Sequence, residues 1–152
     1  ELDGYLAPRL GPEPSDRRLT AAALGRRLAG RRAPIKSVLL DQRVLAGLGN
    51  IYADEALWHS RIHPLREGGS LTAVEHRALL RAVRKALALG IARQGATLRD
   101  YARPDGSAGS MQDEFRAYGR EAEPCDRCGV PLTRIVVGGR STTFCSACQS
   151  PA

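Results

Sequence analysis

Four cysteines near the carboxyl end carry the clearest chemistry in this sequence. They form two Cys-x2-Cys pairs, Cys125 with Cys128 and Cys145 with Cys148, and sixteen residues separate the pairs. Four thiolates in this arrangement are a common ligand set for tetrahedral structural zinc, so the spacing predicts one bound zinc ion. Two disulfides are the alternative interpretation, which the lack of secretory features and of further cysteines disfavours.

The residues between the two cysteine pairs must hold those ligands in place. Residues 132–137 and 141–144 have the composition of strands, and Gly138 with Gly139 between them predicts a β-hairpin. So small a unit cannot bury enough apolar surface to fold by itself, and we therefore expect the metal to stabilise it.

A second chemical feature is a glycine-rich turn within residues 39–58. Apolar residues precede and follow the turn, which predicts a helix, a tight double turn and a second helix. Gly47 and Gly49 interrupt the helix, because glycine reaches positive φ without strain, and Asn50 then stands where a helix N-cap is expected. Unsatisfied N–H groups at such a helix start bind anions, phosphate above all, although many turns of this kind are only turns.

The charge of the chain points to a polyanionic partner. The 152 residues carry a formal net charge of +7, and every lysine or arginine except Lys36 and Lys85 is an arginine. Arginine suits phosphate recognition through its planar guanidinium, but a GC-rich genome produces the same bias. No apolar run approaches the length of a membrane span.

Local signals place the remaining elements. Pro34 predicts the first turn of one helix, and Thr72 with Glu75 predicts a capping box at the start of the longest helix, about residues 73–93. Residues 94–112 lose helical periodicity and predict a surface loop.

Residues 39–58 resemble the helix-two-turn-helix motif of the formamidopyrimidine-DNA glycosylase and endonuclease VIII family of base-excision repair enzymes. The likeness is carried by Leu-Leu-Asp-Gln at 39–42, Ala-Gly-Leu-Gly-Asn-Ile-Tyr-Ala-Asp-Glu at 46–55 and Ile-His-Pro at 62–64. Gly-Arg-Ser-Thr-Thr-Phe-Cys at 139–145 resembles the zinc-finger tip of the same family. The resemblance implies a mostly α fold, in which a helix-two-turn-helix domain is followed by a small zinc-bound β-hairpin.

The resemblance also implies roles for individual residues. Asn50 and Arg140 are expected to bind phosphates beside a damaged nucleotide. Lys36 is expected to lie close to the DNA backbone, with an ordinary surface lysine as the alternative. In the oxidised-purine enzymes, the loop that corresponds to residues 94–112 closes over an everted damaged purine. Its candidate contacts here are Thr97, Arg99 and Tyr101.

We expect three segments: an interdomain linker at residues 1–14, a DNA-binding domain with its lesion-capping loop at 15–112, and a zinc finger at 113–152. The chain begins with glutamate, without the proline that is the family's nucleophile. It is therefore expected to be the DNA-binding part of a longer enzyme, inactive alone, with the N-terminal catalytic domain as its partner.

By resemblance, the longer enzyme excises oxidised purines such as 8-oxoguanine from double-stranded DNA and nicks the resulting abasic site. It is expected to be a monomer in the bacterial cytoplasm, associated with the nucleoid. Two alternatives are a non-enzymatic zinc-containing nucleic-acid-binding module and a pyrimidine-directed, endonuclease VIII-like relative.

Overall fold

The computed structural model describes residues 10–100 and 115–151, and for residues 91–100 it describes the backbone alone. Within these ranges the chain is mostly helical and ends in a hairpin, as predicted. The elements are α1 (Ala21–Leu28), α2 (Ile35–Leu40), α3 (Asn50–Ser60), a 3₁₀ turn (Gly68–Ser70), α4 (Ala73–Asp100), β1 (Thr133–Val137) and β2 (Arg140–Phe144). None of the described helices has both the length and the apolar character that a membrane span requires.

Helix α4 begins where the capping box predicts and ends later than predicted. The Thr72 N–H donates to Glu75 Oε1 at 2.9 Å, and the Glu75 N–H donates to Thr72 Oγ1 at 3.2 Å. The helix continues to Asp100, so the prediction of a loop is wrong for residues 94–100. Alanine, glutamine, leucine and arginine in this stretch are good helix formers, and the single Gly95 costs only about 1 kcal/mol relative to alanine.

The hydrophobic core lies where α1, α2, α3 and α4 meet the turn between α2 and α3. The turn contributes Val44, Leu45 and Leu48 to the core. Helix α4 contributes Leu79, Leu80 and Val83. Val74, in the first turn of α4, is 64% exposed and lies outside the core.

Two glycines allow the helices to approach closely. A Cβ at Gly90 of α4 would overlap the hydroxyl of Tyr52, which projects from α3. A Cβ at Gly25 of α1 would lie 2.7 Å from Nδ1 of His76, so α1 packs tightly on the first turns of α4. The contact between Gly90 and Tyr52 fixes α3, and therefore its amino-terminal end, against the longest helix.

The described part of the predicted linker, residues 10–14, is attached to the helical domain. The Gly11 N–H donates to the carbonyl of Gln42, in the turn, at 2.8 Å. The Arg84 guanidinium donates to the carbonyl of Pro14 at 2.8 Å. Hydrogen bonds thus attach Gly11 and Pro14 to the helical domain, and residues 1–9 of the predicted linker lie outside the described ranges.

The hairpin has the predicted two-residue turn. Strands β1 and β2 pair antiparallel, with Val137 opposite Arg140. Gly138 and Gly139 have φ of +56° and +79°, the left-handed values that a type I′ turn requires at both central positions. This turn places Arg140 at the first position of β2, next to the tip.

Candidate nucleic-acid interface and zinc site

The four cysteine sulfurs form a cluster in which all lie within 4.8 Å of one another. The Sγ atoms of Cys125 and Cys148 are 3.9 Å apart, and those of Cys128 and Cys145 are 3.5 Å apart. Zinc–sulfur bonds of about 2.3 Å in a tetrahedron require sulfurs about 3.8 Å apart, whereas a disulfide holds them at about 2.05 Å. The cluster therefore fits zinc and does not fit the two disulfides that were the alternative.

The backbone around the cysteines has the form of a zinc knuckle. Gly129 follows Cys128 with φ of +80°, and its N–H donates to the carbonyl of Cys125 at 2.8 Å. In the second pair, the Cys148 N–H points at Cys145 Sγ, 3.3 Å away. An N–H directed at a thiolate stabilises its negative charge, which is what a zinc-bound sulfur carries.

Helix α3 packs against the zinc site. Trp58, only 5% exposed, lies in one apolar cluster with Cys125 and Cys145. The guanidinium carbon of Arg127, which lies between the first two ligands in sequence, is 3.6 Å from the centre of the Trp58 ring. This cation–π contact joins the zinc finger to the helical domain.

A carboxylate of α3 holds the segment that precedes the zinc finger. Glu55 is 4% exposed, and its two oxygens accept the backbone N–H groups of Arg116, Ala117 and Tyr118 at 2.6, 2.8 and 2.8 Å. Such charge-assisted bonds are stronger than neutral ones. Sequence reasoning included Glu55 in the motif but missed this role.

The turn before α3 leaves its first N–H groups open. Gly47 has the predicted positive φ, +84°, whereas Gly49 has φ of −90° and is itself the N-cap. The prediction of Asn50 as N-cap is therefore wrong by one residue, because Asn50 is the first helical residue and its side chain turns to the hairpin. No side chain caps α3, and a Cβ at Gly49 would meet only Tyr52, at 4.0 Å.

Asn50 connects the helical domain with the hairpin. Its Nδ2 donates to the carbonyl of Ser141 at 3.1 Å, and Ser141 directly follows Arg140. The structure thus brings Asn50 into contact with the residue that follows Arg140, although Asn50 and Arg140 are ninety positions apart in sequence. Asn50 Oδ1 is buried without a hydrogen-bond partner in the described part of the chain. Arg140 is exposed and forms no ion pair with any residue that the structure describes.

Lys36 is not the ordinary surface lysine of the alternative interpretation, and its place near the DNA backbone stays a prediction. Its side chain is fully buried and its Nζ has three protein acceptors. They are a carboxylate oxygen of Asp54, the carbonyl of Ser141 at 3.2 Å and Thr142 Oγ1 at 2.9 Å. The ammonium has three N–H groups, so none is left for a phosphate in this arrangement.

Burial affects both members of the Lys36–Asp54 pair. It lowers the pKa of Lys36 and raises the pKa of Asp54, because both charges leave water, and the attraction between the two groups opposes both shifts. Asp54 also accepts the Thr143 N–H at 3.2 Å. Asp54 therefore joins a lysine of α2 to the second strand, a role that sequence reasoning did not assign.

The predicted lesion-contacting residues fall at and beyond the end of α4. The backbone at Thr97 and Arg99 is helical, within the last two turns. Tyr101 lies outside the described residues, as does the rest of the predicted loop to residue 112. The roles of these three residues stay predictions.

Two family models match the chain. The formamidopyrimidine-DNA glycosylase H2TH domain matches residues 10–102, and the zinc finger found in FPG and IleRS matches residues 122–151. The first match covers more than half of the chain. This chain belongs to the formamidopyrimidine-DNA glycosylase family. The zinc-finger match agrees with the sulfur geometry, and the chain is a zinc-binding protein of that family.

Curated formamidopyrimidine-DNA glycosylases are close in sequence. The protein of Novosphingobium aromaticivorans is 54% identical over 140 residues, which are 92% of this chain and 52% of that protein. The protein of Chloroflexus aggregans is 52% identical over 139 residues, 91% of this chain and 50% of that protein. The chain thus spans about half the length of these glycosylases.

Solved structures of formamidopyrimidine-DNA glycosylases share the fold. The MutM (Fpg) protein of Thermus thermophilus has a TM-score of 0.80 at 48% identity, over 93% of this chain and 54% of that one. The Lactococcus lactis Fpg in complex with DNA that contains an abasic site has a TM-score of 0.83 at 38% identity, over 98% and 55%. A MutM complex with DNA containing carbocyclic 8-oxo-G has a TM-score of 0.82 at 36% identity, over 98% and 54%.

Proposed function

We propose that this chain binds the sugar-phosphate backbone of damaged double-stranded DNA, with the start of α3 and the tip of the hairpin contacting neighbouring phosphates of one strand. The observation that carries the proposal is the hydrogen bond from Asn50 Nδ2 to the Ser141 carbonyl, because it brings both elements to one place. The complexes of related Fpg and MutM proteins with DNA support it.

The chemistry of this place suits an anion. The Asn50 amide nitrogen has two N–H groups, of which Ser141 uses one, so the other can donate to a phosphate oxygen. The N–H groups at the start of α3 have no side-chain cap, and the helix dipole favours negative charge there. Arg140 adds an exposed full charge at the same edge.

Contacts of this kind fix the position of DNA and carry no sequence information. The net charge of +7 adds long-range attraction to any nucleic acid, which is consistent with a repair protein that searches undamaged DNA. Recognition of the lesion then requires residues elsewhere. We assign it to Thr97, Arg99 and Tyr101, on the resemblance of residues 94–112 to the capping loop of the oxidised-purine enzymes.

For the whole enzyme we propose removal of oxidised purines followed by cleavage at the abasic site. The relatives' name, and the 8-oxo-G and Fapy-dG DNA in the complexes of related proteins, favour a purine over a pyrimidine lesion. We propose that these 152 residues by themselves bind DNA without lyase activity. We further propose one structural zinc ion per chain and a monomer that acts in the bacterial cytoplasm, on nucleoid DNA.

A binding titration on a duplex with an abasic-site analogue, at one fixed salt concentration, tests the proposed contacts. Arg140→Ala removes a charge-assisted bond of about 1.5–3 kcal/mol and should weaken binding about 10- to 100-fold. Asn50→Ala removes a hydrogen bond from an uncharged donor and should weaken binding several-fold, less than Arg140→Ala does. The double variant should lose less than the sum, because both residues act on one strand and are linked through Ser141.

Arg26→Ala is the matched control for charge, since Arg26 is exposed on α1, and it should cost little. Strict additivity of the two substitutions would mean that the two elements bind independently. If neither single substitution weakens binding, the phosphate site lies elsewhere on the chain.

A further inference from the structure

The start of β2 is held by a buried polar network. Lys36 Nζ donates to the Ser141 carbonyl and to Thr142 Oγ1, and Asp54 accepts the Thr143 N–H. Three successive residues of β2 are thus attached to α2 and α3 by side chains that are less than 2% exposed.

Resting on the function proposed above, we infer that Lys36 and Asp54 are positioning residues for phosphate binding, which hold the first residues of β2 so that Arg140 stands beside Asn50. The inference gives the pair a role without contact to DNA, because the Lys36 ammonium has no N–H group left.

The Ser141 carbonyl is the central atom of this arrangement. It accepts from Lys36 Nζ at 3.2 Å and from Asn50 Nδ2 at 3.1 Å, so the lysine and the asparagine share one acceptor. Thr142 Oγ1 accepts from Lys36 and donates to the carbonyl of Arg140 at 3.2 Å. The buried ammonium is therefore connected directly to the Ser141 carbonyl and, through the Thr142 hydroxyl, to the Arg140 carbonyl.

A buried ion pair is a poor source of stability, since an apolar pair of similar volume is often as stable or more stable. Apolar side chains, however, cannot form hydrogen bonds with the carbonyl and N–H groups of β2. They would therefore leave the position of β2 along α3 less defined. We therefore expect the Lys36–Asp54 pair mainly to position β2 and only secondarily to contribute to the free energy of unfolding.

The test compares the effect of Arg140→Ala in two backgrounds, the unaltered chain and Lys36→Met/Asp54→Leu. The apolar pair should keep the fold, measured by zinc content and by thermal unfolding, and weaken binding to abasic-analogue DNA about tenfold. In the unaltered chain Arg140→Ala should cost about 10- to 100-fold. In the apolar background it should cost less than about threefold, because Arg140 is no longer held beside the phosphate.

Thr142→Val provides a second background that keeps the ion pair and the volume of the buried side chain, and removes only the hydroxyl between Lys36 and the Arg140 carbonyl. Thr142→Val should also reduce the effect of Arg140→Ala. This background keeps the test decisive if the apolar pair fails to fold. An equal effect of Arg140→Ala in all folded backgrounds would overturn the inference. If Lys36 itself contacted DNA, Arg140→Ala would also have an equal effect in all folded backgrounds. DNA binding by the apolar pair would then depend less on salt than binding by the unaltered chain. If Arg140→Ala has no effect in the unaltered chain, the proposed function itself is wrong and the inference falls with it.

Discussion

Gly49 leaves the start of α3 without the side-chain cap that serine, threonine, aspartate or asparagine would provide. Its φ of −90° and ψ of 170° are open to any residue, so conformation does not require glycine here. A Cβ would also have space, with Tyr52 4.0 Å away. Folding therefore does not require glycine at this position, which is consistent with the proposed use of the free N–H groups for phosphate.

Gly49→Ser should separate stability from binding. The serine hydroxyl can accept an N–H of the first turn, which should stabilise the fold by a few tenths of a kcal/mol. The same bond occupies a group that we assign to phosphate, so affinity for abasic-analogue DNA should fall several-fold. Urea unfolding and a DNA titration measure the two effects, and unchanged affinity would show that phosphate does not use the start of α3.

Gly47→Ala is the comparison variant in the same turn. Gly47 has φ of +84° with open space around it, so alanine is strained in the left-handed region without a clash. Its expected effect is a loss of about 1–2 kcal/mol in the free energy of unfolding. Comparison with Gly47→Ala distinguishes a loss of DNA affinity caused by a general disturbance of the turn from one caused by occupation of the N–H groups.

The zinc finger depends on α3 at the scale of whole elements. Glu55 holds the preceding segment, Trp58 packs on the ligand cluster, and the Gln149 amide donates to the carbonyl of Ile62 at 3.0 Å, just after α3. The hairpin by itself is too small to keep its position. The zinc ion and α3 together therefore determine the position of Arg140.

Removal of zinc should be visible in the fluorescence of Trp58, the single tryptophan. Zinc contributes on the order of 10 kcal/mol of apparent binding energy to such small units. A chelator, or Cys128→Ser, should therefore unfold the hairpin, expose Trp58 and shift its emission to longer wavelength, with loss of bound metal. Ser146→Ala, an exposed change between two ligands, should leave both signals unaltered. A metal-free chain with buried Trp58 and undiminished protease resistance would contradict this account.

At the scale of the whole molecule, features set by neighbouring residues could be predicted from the sequence. The capping box of α4, the turn at Gly138-Gly139 and the cysteine cluster all depend on contacts or spacings of short range. The continuation of α4 to Asp100 could not be predicted, because one glycine among good helix formers gives no decisive signal.

The burial of Lys36 and the roles of Asp54 and Glu55 could not be predicted either. The partners of Lys36 are 18, 105 and 106 positions away, and only the packing of the hairpin on α3 makes them neighbours. A lysine after Pro34 looks like any surface lysine until that packing is known. The resemblance singled out Lys36 without indicating that its side chain is buried.

The salt dependence of DNA binding tests the central claim, that Arg140 contacts a phosphate beside Asn50, most directly. Each phosphate contact contributes about −0.9 to the slope of log affinity against log salt. Arg140→Ala should therefore make the slope less steep by about 0.9. Arg134→Ala removes the same charge from β1 of the same hairpin, where Arg134 pairs with Glu121, and should leave the slope unchanged. Equal slopes for the unaltered chain and Arg140→Ala would contradict the account, since Arg140 would then contact no phosphate.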